Sequence, residues 1–178
     1  RINKMAFDAG MLASVIHEIK SVARGGRIEK IYQPERDELI LQMRTMCGGK
    51  RLRINAGSNC PRISCTSIQR ENPMQAPMFC MLLRKHLAGA KLLSAYQDEF
   101  ERVCFLELEA CDEMGFKSKK YLICEIMGKY ANLILTDSED KVITAMKIID
   151  FAASTVRQVL PGLKYQQPRG QEKKDILL

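Results

Sequence analysis

The side chains of this 178-residue chain that could carry out chemistry are two histidines, seven cysteines and a run of glutamates at 99, 101, 107 and 109. His17 and His86 fall on different expected helices, so a base for a nucleophile is conceivable, but nothing in their surroundings supports such a pair. No G-x-S-x-G or H-E-x-x-H motif occurs, nor a G-x-x-x-x-G-K followed by Ser or Thr. The glycine pairs at 25 and 48 fall in short turns without a dinucleotide-binding pattern. The glutamates are more simply the outward side of a hairpin than a paired acid and base. The cysteines, at 47, 60, 65, 80, 104, 111 and 124, include no C-x-x-C pair. Zinc needs about four clustered ligands, so no metal is expected. Cys80, Cys104 and Cys124 sit in apolar runs and read as small core residues. Scattered thiols, odd in number, suit a reducing, cytoplasmic setting. The chemistry-bearing residues therefore point away from an enzyme: no cofactor or small-molecule substrate is expected, and a binding module is the stronger class.

Charge narrows the class of partner. The chain carries 28 basic and 21 acidic residues, a net charge of +7. Between Arg24 and Arg70 there are ten basic residues against four acidic ones, which accounts for six of those seven charges. A field concentrated in this way favours polyanions, nucleic acid first and an anionic membrane surface second. An ordinary solvated sheet face in a basic protein is the competing explanation. No run of about 18 apolar residues is present, so no membrane span is expected, and the start lacks the apolar core of a secretory signal.

The elements that must position these residues follow from periodicity. Asp8 can cap a helix whose apolar positions Met11, Leu12, Val15, Ile16, Ile19 and Val22 recur at helical spacing up to Gly25-Gly26. The period then shortens to two, and "RIEKIYQP", "ELILQMRT" and "KRLRIN" read as an antiparallel meander with Arg51 and Arg53 on its outer face. In "NPMQAPMFCMLLRKHLAG", Asn72 to Gly89, Pro77 suits the first turn of a second helix and Phe79, Cys80, Leu82, Leu83 and Leu87 share one side. Arg84 and Lys85 project from the other side, near the C-terminus where cations are favourable. "KLLSAYQ", "ERVCFLELEA", "KYLICEIM", "NLILTD" and "KVITAMKII" form a second meander. The end, from Val156 onward, loses periodicity and reads as an extended exit or linker. The order helix, meander, helix, meander predicts an α+β fold, with two helices flanking a two-layered antiparallel β-sandwich or open barrel. Residues 1–4, ahead of Met5, stand outside the expected domain at 5–168, and residues 169–178 read as a linker.

Taken together, "GGRIEKIYQPERDELIL", "NPMQAPMFCMLLRKHLAGAKL", "CEIMGKYANLIL" and "RQVLPGLKY" resemble the N-terminal domain of the NFACT family, from Met5 to about Pro168. That resemblance implies the fold of the N-terminal domain of formamidopyrimidine-DNA glycosylase. Those glycosylases use an N-terminal proline amine followed by glutamate, whereas this start is Met5-Ala6-Phe7-Asp8, so the fold does not bring DNA repair with it. The resemblance also implies binding to tRNA and to a large ribosomal subunit that still carries peptidyl-tRNA, with recruitment of alanyl-tRNA for an untemplated C-terminal tail.

The family's aspartate near the start is matched by Asp8. Its Asp-Arg pair is matched, with one change, by Glu101-Arg102, where the arginine fork suits phosphate or a base edge. Glu125 and Lys129 fall on the other marked segment, "EIMGK", with Tyr130 beside Lys129 as a ring able to stack on RNA. Arg84 and Lys85 add to the RNA-facing field. The older family label suggests the alternative of a fibronectin-binding surface adhesin, which would need export.

Overall fold

A computed structural model describes residues 9–57, 61–66, 73–97 and 102–168. Helix α1 (Ala9–Ala23) leads into strands β1 (Arg27–Glu35), β2 (Glu38–Thr45), β3 (Gly48–Asn55) and β4 (Arg62–Thr66). Helix α2 (Met78–Leu87) follows, then β5 (Lys91–Gln97), β6 (Val103–Cys111), β7 (Lys117–Glu125), a 3-10 turn (Gly128–Tyr130), β8 (Asn132–Thr136) and β9 (Val142–Ala145). The α+β class and the alternation of helix and meander are as the periodicity predicts. Strand β4 is additional: "RISCT" is too short and too polar to announce itself by alternation.

The two expected layers are halves of one antiparallel sheet, ordered β4-β3-β2-β1-β5-β6-β7-β8-β9. They join at a narrow seam, where β1 and β5 share the single pair Arg27↔Lys91. Bonds from Ile28 N–H to the Ala90 carbonyl and from Gly89 N–H to the Ile28 carbonyl, each 2.9 Å, extend that seam. Beyond it the strands part and the helices fill the space. Helix α1 touches β2, β4 and β5, while α2 touches β1, β6 and β9. Both helices, β1 to β4 and β5 to β8 contribute to one buried cluster that includes Leu12, Ile19, Leu41, Ile54, Leu83, Leu106 and Leu133. Lys147, just past β9, donates from Nζ to the Ala56 carbonyl at 2.7 Å, tying the far ends of the halves together.

Helix α2 is shorter at its start than the sequence pattern suggests. Pro77 is its N-cap, with extended ψ of 157°, and so precedes the first turn. Its apolar side buries Phe79, Cys80, Leu83 and Leu87. The helix stops at Gly89, whose φ of +75° is a conformation that side chains resist. Gly26 is required for a different reason. A Cβ there would lie 2.9 Å from the carbonyl oxygens of Ala23 and Arg44, where the end of α1 passes against β2.

The C-terminal segment differs most from expectation. It is a strap lying on the outer side of β6 to β9. Val159 is buried with Val103, Ile123, Ile134, Val142 and Ala145 in a second, smaller core. Backbone bonds join Ile149 with Val159, at 3.0 and 2.8 Å, and Val142 N–H with the Leu163 carbonyl, at 2.8 Å. Proline and glycine remove the period that would have marked this segment, yet its apolar residues still find a face to cover.

Candidate nucleic-acid interface

The outer face of β1 to β4 is built by strand register. Arg27 lies opposite Arg44, and Lys30 opposite Gln42. Gln42 continues to Arg51 and Thr66, Ile40 to Arg53 and Ser64, and Glu38 to Asn55 and Arg62. Neighbouring strands stand roughly 4.8 Å apart and alternate residues about 6.6 Å apart. Six cationic side chains (Arg27, Lys30, Arg44, Arg51, Arg53 and Arg62) thus share one surface with Glu29, Glu35 and Glu38. A bulge after Ile28 shifts the register of β1, so Glu29 and Lys30 are both exposed.

The acids on this face are partly matched. Arg44, exposed over 81% of its side chain, holds Glu29 at 2.7 Å, a pair of the kind worth little in water. Arg53 donates from Nη2 to the buried Glu38 at 3.3 Å. Its Nε lies 3.2 Å from the other carboxylate oxygen, near enough for attraction but not aligned as a hydrogen bond. Arg27 donates to the Gly89 carbonyl at 3.1 Å, an acceptor that positions the guanidinium without cancelling its charge. The surface stays net positive, and its cations are spread out, as a phosphate backbone requires.

The residues suggested by the family resemblance separate into distinct places. Asp8 and Glu101 lie outside the described residues. Arg102 and the segment from Glu125 to Tyr130 come together at one end of β6 and β7, where Ile126 N–H donates to the Arg102 carbonyl at 2.9 Å. Arg102 is half-buried, Lys129 lies in the 3-10 turn, and Tyr130 beside it is exposed. Arg84 lies elsewhere. Its Nε donates to the Ile31 carbonyl at 2.9 Å, and the Cys80 thiol approaches the same oxygen at 3.6 Å. Together they cover the edge of β1 where β5 has turned away. Lys85 is exposed on the helix surface, and the half-buried His86 lies near Lys120. Lys120 pairs with Leu108, five residues along β6 from Val103, a separation of roughly 17 Å.

Glu125 occupies a wholly interior position. Arg157 grips its carboxylate with both terminal nitrogens, Nη1 donating to Oε1 at 3.1 Å and Nη2 to Oε2. The Tyr165 hydroxyl donates to Oε2 at 2.6 Å. The guanidinium stands 5.4 Å over the Tyr165 ring, and its Nε donates to the Gln166 carbonyl at 2.7 Å. Its position makes Glu125 the anchor of the strap. Arg157 and Tyr165 are the partners that sequence reasoning missed. The signal in the sequence was slight: Arg157 and Lys164 are the two charged residues of the aperiodic stretch "RQVLPGLKY".

Three of the described thiols are shifted away from the reactive thiolate. Burial, and then the Glu18 carboxylate, push Cys65 up to about 11. Burial raises Cys80, and the hydrogen bond between Cys124 and Cys104, followed by burial, raises Cys124 well above the ordinary range. A nucleophilic cysteine needs the opposite shift. Among the described residues no three His, Cys, Asp or Glu side chains are grouped to hold a metal. No described helix is long and apolar enough to cross a membrane.

Comparison with known proteins places this geometry. The family model for NFACT N-terminal and middle domains matches residues 8–178. The Rqc2 homolog RqcH of Bacillus subtilis is 35% identical over 95% of the chain, which covers 30% of that protein. The Rqc2 homolog RqcH of Streptococcus pneumoniae is 37% identical over 94% of the chain, covering 31% of that protein. Among solved structures, the N-terminal domain of the fibronectin-binding protein PavA from Streptococcus pneumoniae superposes with a TM-score of 0.89 at 35% identity. That match covers 97% of this chain and 68% of the other. The chain therefore spans about a third of the length of the curated relatives it matches.

Proposed function

The chain belongs to the NFACT family, and from that premise we propose that it is the RNA-binding N-terminal module of a cytoplasmic ribosome quality-control factor. In the longer protein it would bind tRNA and a large ribosomal subunit that retains peptidyl-tRNA after stalling. It would recruit alanyl-tRNA there for untemplated C-terminal tailing of the nascent chain. The observation that carries this reading is the net positive outer face of β1 to β4, in a chain similar over nearly its whole length to proteins named Rqc2 homologs. Spread cations neutralise phosphates without reading sequence, which suits binding to folded RNA through its backbone. Arg102, with Lys129 and Tyr130 at the other end of the module, would supply the more specific contact through a forked donor and a stacking ring. The module would act by positioning, with no catalytic residue of its own.

The test is to purify the full-length protein from cells and sequence the RNA that accompanies it, alongside sedimentation with ribosomal subunits. Alanine-accepting tRNA and large subunits should both be enriched. Their absence from a folded, full-length preparation refutes the proposal.

The PavA likeness favours a second reading, adhesion to fibronectin. Saturable binding of this chain to immobilised fibronectin, with no RNA in the purified protein, would select that reading instead.

A further inference from the structure

Where β5 turns away from β1, a groove opens between β1 and the end of α2. Its volume is about 470 Å³, and Glu29, Lys30, Ile31, Tyr32, Arg84 and Ala88 line it. That is the size of a site for one small ligand. One wall is the outward row of β1, where the bulge after Ile28 sets Lys30 opposite Gln42 and Tyr32 opposite Ile40. The other wall is the last turn of α2 with its C-cap, Ala88. Arg84 is pinned there through Nε, which donates to the Ile31 carbonyl at 2.9 Å. Its two terminal nitrogens have no partner among the described residues. A guanidinium held at one nitrogen presents its remaining donors in a fixed direction, which suits a phosphate.

Lys30, exposed on the opposite wall, likewise has no partner among the described residues. The acid of the groove, Glu29, is taken by Arg44 at 2.7 Å. Tyr32 is half-buried, and its hydroxyl forms no hydrogen bond among the described residues. Two cations and an aromatic ring thus line one groove, and a phosphate joined to a flat base is the ligand that uses both. A base paired inside a duplex keeps its faces stacked and cannot enter; an unpaired nucleotide can. The groove also borders the basic face. Lys30 belongs to both, and Arg27 donates to the Gly89 carbonyl, one residue beyond Ala88, at 3.1 Å. We propose that this groove takes one unpaired nucleotide of an RNA lying on the basic face, its base stacked on Tyr32 and its phosphate held by Lys30 and Arg84. The groove gives a surface that otherwise meets only phosphates a preference for looped RNA over continuous duplex. The inference rests on the basic face being an RNA-binding surface and is separate from the Arg102 end.

The test uses the full-length protein and two probes with the same number of phosphates, a blunt RNA duplex and an RNA hairpin with iodouridine in its loop. Ultraviolet light joins iodouridine to an aromatic side chain stacked on it, and the expected link is to Tyr32. Tyr32→Phe should keep the link. Tyr32→Leu should lose it and bind the hairpin about tenfold more weakly, with duplex binding unchanged. A link that bypasses Tyr32, no link at all, or a Tyr32→Leu variant that loses nothing or loses equally on both probes overturns the inference and leaves the basic face in place. Failure of the parent to bind either probe removes the basic-face reading and this assignment with it. Adenosine monophosphate bound as tightly as the hairpin would make the ligand a free nucleotide and overturn the assignment to RNA. The crosslink is read on the parent protein, so its outcome does not depend on the folding of any variant.

Discussion

Strands β2 and β7 each turn one row of side chains into the main core and the other outward, yet their outward rows end in opposite circumstances. On β2 the row Gln42 and Arg44 faces solvent, and Arg44 meets Glu29 in an exposed pair. On β7 the row Ile123 and Glu125 is covered by the strap, and Glu125 meets Arg157 away from water. Neither strand announces which outward row will be covered, because each closes that row with a charged residue, Arg44 on β2 and Glu125 on β7. The difference lies in which half of the sheet the chain returns to after β9. Where it returns, a charged residue becomes a structural clamp; where it does not, charge remains available to a partner. An exposed pair contributes about 0–1 kcal/mol, whereas a buried charge deprived of its partner costs several times more.

Breaking the clamp should produce the largest effect. Arg157→Ala leaves the Glu125 carboxylate buried and short of donors, and should cost about 3–5 kcal/mol in denaturant unfolding. The paired change Glu125→Met with Arg157→Leu should recover most of that loss, since it removes both charges. If Arg157→Ala were instead no worse than Arg44→Ala, the two faces would not differ as described.

Arg84 sits on the seam between the halves. Arg84→Ala should destabilise the protein by about 1–3 kcal/mol, because a charged donor to the Ile31 carbonyl is lost. Lys85→Ala, on the exposed side of the same helix, should change melting little. Equal melting of the two variants would return Arg84 to the class of freely exposed cations.

Arg102 sharpens the comparison from the functional side. In the full-length protein, Arg102→Ala and Arg102→Lys should each reduce tRNA recovered with ribosomal subunits by about tenfold, with melting unchanged. Glu101→Asp should be tolerated. Normal recovery and tailing in folded Arg102→Ala protein would remove this residue from the proposed site.

The smallest effect concerns pH. Burial, together with the charges of Lys120 and Lys85, lowers the His86 pKa in the folded chain. Above the ordinary value of about 6.5 the imidazole is neutral in both folded and unfolded chains, and its contribution to stability is fully present. As pH falls from there through the lower folded pKa, the unfolded chain takes up the proton first and stability declines. Melting measured between neutral and mildly acidic pH should show a shallow loss that His86→Gln flattens.

Much of the architecture was legible because period carries it. The shift from helical spacing around Leu12 and Ile16 to alternation in "ELILQMRT" locates α1 and β2 closely, and the basic face follows from the alternation of Arg51 and Arg53. Features that depend on distant partners were not legible. Glu125 reads as a strand-end acid because Arg157 lies 32 residues away in an aperiodic segment. Arg84 reads as a projecting cation because the edge of β1 that it covers is exposed only by the divergence of β5. The strap was hidden for the same reason, since Pro161 and Gly162 break any repeat while Val159 and Tyr165 are placed by tertiary contact alone.

The central proposal is that the outer face of β1 to β4 neutralises RNA phosphates while the outer face of β5 to β9 holds the strap, with only the Arg102 end of that second half reaching RNA. Its most direct test is the salt dependence of tRNA binding by three proteins: the parent, a Lys30→Glu, Arg44→Glu variant, and a Lys117→Glu, Lys119→Glu variant on the other half. Each lost phosphate contact lowers the slope of log affinity against log salt by about 0.7–0.9. The first variant should therefore bind more weakly, with a slope shallower by roughly 1.4–1.8, and the second should match the parent. Equal slopes for all three folded proteins, or a loss confined to the Lys117 and Lys119 variant, would contradict the account.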